Sequence, residues 1–276
     1  MKILRQPEDS SDKGFIYVAS LNKIYYHFAV YSALTLKDYY PDAKITLFTH
    51  ESFLDSDASI FDTVIVDIPI YYRTKMWAMA RSPYEKTIYI DADSQIVNRK
   101  IKTMHNFLDD CDMFFGPVTS YTVSDMTWAY MDKGMTIKPK YHGGMCGYKK
   151  SDLVVDFMDT WYNEYIKQIT TPGWPYERNH DKKWKIFDMF TLWRMTNGRN
   201  PEFERFRNLK INIVDKRYTS TVSHLEIDRQ DAVILQVDKL TYKKTDLMRT
   251  KMEEAEKNAI YPLKQYPINK APTECN

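Results

Sequence analysis

The sequence predicts an α/β fold in which a mostly parallel central sheet carries helices on both faces. Short runs of β-branched and aromatic residues alternate with segments whose apolar residues recur at helical spacing, and this order is clearest in the first 117 residues. Strands that alternate with crossover helices form parallel sheets. We find no internal repeat and no low-complexity linker, so one domain is expected over residues 1–276.

The first part of the chain contains four predicted strands and two predicted helices. Pro41 ends the first helix, and Pro83 ends the second. Parallel sheets bind ligands beyond the carboxyl ends of their strands, so the residues that follow each strand are candidates for a site. After a polar leader at 1–13, we expect strands at 15–19, 44–49, 63–67 and 87–90, and helices at 21–40 and 73–81.

The second part of the chain is less regular. Residues 118–141 show no clear periodicity and are expected to form an excursion over the site, whereas 141–148 is a glycine-rich strand or turn. Further helices are expected at 101–110, 153–169, 184–195 and 246–258, further strands at 113–115 and 232–237, and a proline-containing strap at the end.

Composition excludes several classes of function. The 39 basic and 37 acidic residues leave a net charge of only +2, which argues against a nucleic-acid partner. Aromatic residues make up 14% of the chain, and their amphipathic rings suit carbohydrate. Three scattered cysteines form no disulfide framework. Neither a signal peptide nor a run of about 20 apolar residues is present, so a soluble, cytoplasmic protein is expected.

The strongest local signal is the pair Asp91 and Asp93, which directly follows the predicted strand 87–90. In an extended chain, residues i and i+2 point the same way, so both carboxylates can face one site. Mg²⁺ and Mn²⁺ take oxygen ligands, and Mg²⁺ typically binds through one or two carboxylates together with substrate phosphates. These two residues are therefore predicted metal ligands; the alternative is a solvated turn after a strand.

Residues 14–238 resemble the glycosyltransferases of GT-A fold, particularly the relatives of glycogenin and of bacterial galactosyltransferases. The resemblance lies in Tyr89-Ile90-Asp91-Ala92-Asp93, in basic residues on the preceding helix, in a glycine segment, and in an aspartate that opens a later helix. The last three are matched by Arg73 and Lys75, by His142-Gly143-Gly144, and by Asp188.

The resemblance implies a Rossmann-like sheet and a metal-dependent enzyme. Such an enzyme would move a hexosyl or pentosyl group from a nucleotide sugar, usually a UDP-sugar, to a hydroxyl of a carbohydrate acceptor. Residues 1–117 would be the nucleotide-binding half, 118–238 the acceptor and sugar half, and 239–276 a carboxyl-terminal helix and strap. Donor contacts are expected from Ala19, Ser20, Leu21, Arg73, Lys75, Asp91, Ala92, Asp93, His142, Gly143 and Gly144.

Some positions depart from the family pattern. A third metal ligand, usually His within an apolar-apolar-His strand, is replaced by Gln236. The third ligand is then absent, or it is Asp238 or a displaced His224. Similarly, His142 stands where Asn is common.

Each proposed role has a purely structural alternative. Lys75 would neutralise phosphate, or it lies on a solvated helix face. Gly143 and Gly144 would allow close approach to the sugar, or they form a tight turn. His142 could bind the donor or the metal, or be a buried histidine without a ligand. Asp188, the predicted catalytic residue, would act as a general base, hold donor hydroxyls, or merely cap its helix.

Three rival classes fit the sequence less well. A phosphohydrolase or nucleotidyl-transfer enzyme could place two aspartates after a strand, but a phosphohydrolase of that kind would need a nucleophilic aspartate near the first strand, and 15–20 contains none. A dinucleotide oxidoreductase needs a glycine-rich turn after that strand, where the chain has Ser20-Leu21-Asn22. A non-catalytic carbohydrate-binding protein would explain the aromatic residues but not the carboxylates at the end of a strand.

Overall fold

The computed structural model describes residues 1–5, 12–71, 73–117, 141–171, 188–197, 200–218, 220–221 and 231–236. Several predicted features lie outside these residues, namely the excursion at 118–140, the helix at 246–258, the strap, Asp238 and His224. Of the predicted excursion at 118–141, only Tyr141 is described. Within the described part of the chain, no helix is both long and apolar enough to cross a membrane.

An eight-stranded sheet forms the centre of the molecule. Its strands are β1 (Lys2–Arg5), β2 (Lys13–Ala19), β3 (Ile45–Thr49), β4 (Thr63–Val66), β5 (Lys86–Ile90), β7 (Met113–Pro117), β8 (Tyr141–Lys149) and β9 (Ile211–Ile213). They lie in the order β1-β4-β3-β2-β5-β8-β7-β9. Six of them run in one direction, while β1 and β8 run against their neighbours. The predicted mostly parallel sheet is therefore confirmed.

A second, three-stranded sheet lies beside the end of β5. It contains β6 (Ser94–Ile96), β10 (Ser220–Thr221) and β11 (Ile234–Gln236), with β11 between the other two. Gln236 is paired with Ser94, the residue next to Asp93. This small sheet therefore brings a late part of the chain to the carboxyl end of β5.

Helices cover both faces of the central sheet, as predicted. Helix α1 (Lys23–Tyr39) packs on one face together with a 3-10 helix at Arg99–Asp109. The other face is covered by α2 (Lys75–Met79), α3 (Asp152–Thr170) and α4 (Met189–Thr196). Alternate residues of the strands enter the two cores, with Phe15 and Tyr17 in the first and Ile16 in the second.

Side-chain caps explain where the two long helices begin. The Asn22 side chain accepts a hydrogen bond from the backbone N–H of Ile24 at 3.0 Å, and the Ser151 hydroxyl accepts one from Val154 at 3.3 Å. Such caps satisfy amide groups that have no partner inside the helix. Because Asn22 directly follows Ser20 and Leu21, the cap of α1 also shapes the turn after β2.

The structure corrects the prediction of a polar leader at 1–13. Residues 2–5 form edge strand β1, which pairs antiparallel with β4. Ile3 and Leu4 remain partly exposed on this strand. A strand of four residues is too short for its residue pattern to distinguish it from an irregular leader. Its extended conformation depends on the hydrogen bonds to β4. The same limit applies to β6, β9 and β10, which were not predicted.

Gly147 is a glycine because a neighbouring ring occupies the space of its side chain. A Cβ atom at this position would lie 2.2 Å from Cε1 of Phe114, its partner on β7. We expect Gly147→Ala to lower the free energy of unfolding by about 1–3 kcal/mol, as in other overpacked cores. Denaturant unfolding measures this loss, and the additional change Phe114→Leu should restore part of it. A fully stable Gly147→Ala protein would contradict the packing described here.

Candidate functional site

A cavity of about 360 Å³ opens at the carboxyl ends of β2 and β5. Seven of the eleven predicted donor-binding residues line it, namely Ser20, Leu21, Arg73, Lys75, Asp91, Ala92 and Asp93. Gln236 lines it as well, from β11. The remaining lining residues, which sequence reasoning missed, are Val18, Tyr25, Tyr71, Thr74 and Tyr89.

Apart from Tyr89, which belongs to the aspartate motif although it was not predicted to contact the donor, the missed residues had no distinct signal in the sequence. Tyr25 lies on the first turns of α1, where an aromatic residue normally indicates a core position. Tyr71 belongs to the irregular segment between β4 and α2, and its carbonyl accepts a hydrogen bond from the Ser20 hydroxyl at 3.2 Å. Only the closeness of this segment to the turn after β2 places Tyr71 in the cavity wall.

Asp91 is held from both its backbone and its side chain. Its N–H donates to the carbonyl of Gly144 at 2.9 Å, which extends the pairing of β5 with β8. The Tyr89 hydroxyl donates to Oδ1 of Asp91, and the Lys75 ammonium lies 3.5 Å from the same oxygen. This carboxylate is thus fixed in orientation at the mouth of the strand.

Asp93 has a different environment. It is half-buried, and burial together with the nearby Asp91 carboxylate raises its pKa to about 7. A carboxylate with such a pKa gains much from a cation, because a positive charge favours the ionised form. The donor set therefore fits a hard dication: Asp91 and Asp93 supply two carboxylates in one polar cavity.

No third acidic, histidine or cysteine side chain joins the two aspartates in a metal-binding group among the described residues. Gln236, which stands where the resembling family usually has a histidine ligand, lines the same cavity. A site with two protein carboxylates leaves the remaining coordination positions to water and to phosphate oxygens, an arrangement typical of Mg²⁺ in nucleotide sites.

Lys75 lies inside the protein rather than on a solvated helix face. Its side chain is 5% exposed, and its ammonium donates to the carbonyl of Gly143 at 2.6 Å. The same nitrogen lies 3.3 Å from Oδ2 of Asp188 and 5.4 Å from the centre of the Tyr89 ring. Lys75 thus connects α2, β5, β8 and the start of α4 through one charge.

Asp188 does not use its side chain as a helix cap. No capping hydrogen bond is made by this side chain, which instead faces Lys75 and lies 3.6 Å from Nε of Arg73. Burial opposes ionisation of the carboxyl group, but Lys75 and Arg73 together hold its pKa below the ordinary value. Asp188 is therefore a buried, ionised carboxylate with two cationic neighbours.

Gly143 and Gly144 lie in strand β8 rather than in a tight turn. A Cβ atom at position 143 would lie 3.0 Å from Oδ2 of Asp188 and 3.4 Å from Nζ of Lys75. At position 144 it would lie 2.7 Å from the His142 ring and 3.1 Å from Oδ2 of Asp91. The two glycines therefore make room for the charged side chains and for the His142 ring.

The other predicted residues lie behind the cavity wall. Ala19 is fully buried at the end of β2, and His142 is half-buried next to Gly144, whose N–H donates to Nδ1 of His142 at 3.3 Å. Burial lowers the pKa of His142, so its neutral form is favoured. Neither of these residues lines the cavity; nor do Gly143, Gly144 and Asp188, although Lys75 contacts Gly143 and Asp188.

Neither a protein-family model nor a curated protein sequence matches the chain. Its structure is similar to that of the glycosyltransferase GlyE from Streptococcus pneumoniae TIGR4, with a TM-score of 0.54 and 9% identity over 92% of this chain and 66% of that one. The bifunctional glycosyltransferase WbbM is similar with a TM-score of 0.50 and 7% identity, over 84% and 46% of the two chains. The galactosyltransferase LgtC was crystallised with donor and acceptor sugar analogs. Its structure is similar with a TM-score of 0.46 and 11% identity, over 92% of this chain and 97% of that one.

Because the sequence identities are only 9% and 7%, the similarity to GlyE and WbbM shows a shared fold and nothing more specific. The chain thus has the GT-A type, Rossmann-like fold of these glycosyltransferases, as its sequence predicts.

Proposed function

We propose that this protein transfers a sugar from a nucleotide sugar, preferably a UDP-sugar, to a hydroxyl of a carbohydrate acceptor. The observation that carries the proposal is the cavity at the end of β5, into which two carboxylates and two cationic side chains project together. Carboxylates alone would suit a metal, and cations alone would suit an anion. Their combination suits a metal-bound diphosphate.

The residues divide into two functional groups under this proposal. Asp91 and Asp93 would hold Mn²⁺ or Mg²⁺, and the ion would stabilise charge on the departing diphosphate as a Lewis acid. Arg73 and Lys75 would face the diphosphate, while Tyr25 and the turn Ser20-Leu21 offer the apolar and polar contacts that a nucleoside needs.

Asp188 fits neither the general base nor the ligand of sugar hydroxyls that the sequence predicts. A general base works best when its pKa is near the pH of the reaction, and here two cations lower the pKa of this carboxyl group below its ordinary value. A residue that holds sugar hydroxyls must face the donor, but Asp188 lies behind Lys75 and Arg73 and does not line the cavity. We therefore assign Asp188 no direct contact with the sugar.

A thermal-shift screen of nucleotides with and without Mn²⁺ tests the proposal. UDP or a UDP-sugar should raise the melting temperature only when the metal is present, since a ligand at 100 times its Kd stabilises the folded state by about 2.7 kcal/mol. Excess chelator should abolish both this shift and sugar transfer. Stabilisation by glycans alone would instead indicate a carbohydrate-binding protein, and release of phosphate without any transfer would indicate a phosphohydrolase.

A further inference from the structure

Asp188 lies directly behind the two cations that face the cavity. Lys75 and Arg73 line the cavity, whereas Asp188 does not. The two cationic nitrogens lie 3.3 Å and 3.6 Å from its carboxylate oxygens, and its side chain is only 4% exposed. A negative charge in this position neutralises part of the positive charge that any anion in the cavity would meet.

The backbone of Asp188 is fixed independently of its carboxylate. Its carbonyl accepts hydrogen bonds from the Trp161 indole at 3.1 Å, from the Thr191 hydroxyl at 2.8 Å and from the backbone N–H of Leu192 at 3.1 Å. None of these contacts depends on the side chain, and no capping bond would be lost with it. The charge at this position can therefore be removed while the start of α4 remains in place.

Lys75 would likewise keep its position without this partner. Its ammonium still donates to the carbonyl of Gly143 at 2.6 Å and lies 3.5 Å from the Asp91 carboxylate. Loss of the Asp188 charge would thus leave both cations at the cavity wall with less of their charge neutralised.

We propose that Asp188 is an internal counter-anion that weakens the attraction of Lys75 and Arg73 for a diphosphate. The identity of that diphosphate rests on the proposed function, whereas its charge does not. Transfer of the sugar leaves a nucleoside diphosphate, which carries more negative charge than the nucleotide sugar. Because Asp188 neutralises part of the positive charge of Lys75 and Arg73, this product dissociates more readily. Asp188 therefore limits product inhibition.

The test is the affinity of the full chain for UDP and for inorganic pyrophosphate, measured by calorimetry with Mn²⁺ present. Asp188→Asn should bind both anions about five- to tenfold more tightly than the wild type, because one nearby negative charge is lost. The affinity of the variant should also fall more steeply with added salt. Asp188→Glu keeps the charge and should show no tightening.

A matched control neutralises a carboxylate far from the cavity. Asp159 on α3 pairs with Arg81 at 2.7 Å, and Asp159→Asn should leave both affinities unchanged. Equal or weaker anion binding by Asp188→Asn would overturn the inference, since a residue with only a structural role would give that result. A protein that binds pyrophosphate in this pattern but no uridine nucleotide would contradict the proposed donor alone. Failure of the wild type and the variant to bind either anion would contradict both proposals.

Discussion

Asp93→Ala is expected to reduce metal-dependent sugar transfer by about 10²-fold or more, a larger loss than Asp91→Ala should cause. Changes to residues that merely orient a metal ligand cost 10–100-fold in many metal sites, and loss of a ligand costs at least as much. Asp91 already interacts with Tyr89 and Lys75, whereas burial raises the pKa of Asp93 to about 7, which indicates a carboxylate with less compensation inside the protein.

Turnover of a UDP-sugar and Mn²⁺ binding in the presence of UDP measure this effect. Both should fall together in Asp93→Ala. Asp109, at the opposite end of the sheet, is exposed and pairs with Lys86, so Asp109→Ala serves as the control with unchanged activity. If both site variants kept wild-type turnover, the pair of aspartates would be an ordinary turn.

Lys75→Met should be the most destabilising substitution in the site. Removal of this cation leaves Asp188 buried without one of its two partners, and breaking a buried ion pair costs about 3–5 kcal/mol. Urea unfolding should show the loss in the free energy of unfolding. The corresponding surface change, Lys86→Met, removes a partly exposed pair with Asp109 and should change stability little.

A double-mutant cycle shows whether the loss comes from the uncompensated charge. Asp188→Asn in the Lys75→Met background should recover part of the stability, since it removes the buried carboxylate that Lys75 neutralised. If the two substitutions changed the free energy of unfolding by strictly additive amounts, the two side chains would not interact.

Most of the fold follows from the order of elements in the sequence. The strands that became β2 to β5 have clear β-branched runs, and α1 has a cap and a proline stop, so local patterns suffice for them. The edge strand β1 and the strands β6, β9 and β10, each of two or three residues, depend on their partners. A local sequence pattern cannot predict these strands, because each pairs with a strand that is distant in the sequence.

The candidate site divides in the same way. The sequence predicts that Asp91 and Asp93 lie at the end of β5, because a strand places residues i and i+2 on one side. It does not predict that Lys75 is buried, since a lysine in a short helix usually lies in solvent. That burial results from Gly143 and Asp188, which come from much later parts of the chain and leave no trace near position 75.

The charged cluster also has a consequence for the folding reaction. The hydrogen bond from Lys75 to Gly143 joins residues 68 positions apart, and Asp188 is more distant still. Contacts between such remote positions form only after the chain has lost the entropy of closing long loops, which slows folding. The cluster is therefore completed only once β8 and α4 have docked. If the proposed binding of a diphosphate holds, it would report on the last native contacts rather than on early secondary structure.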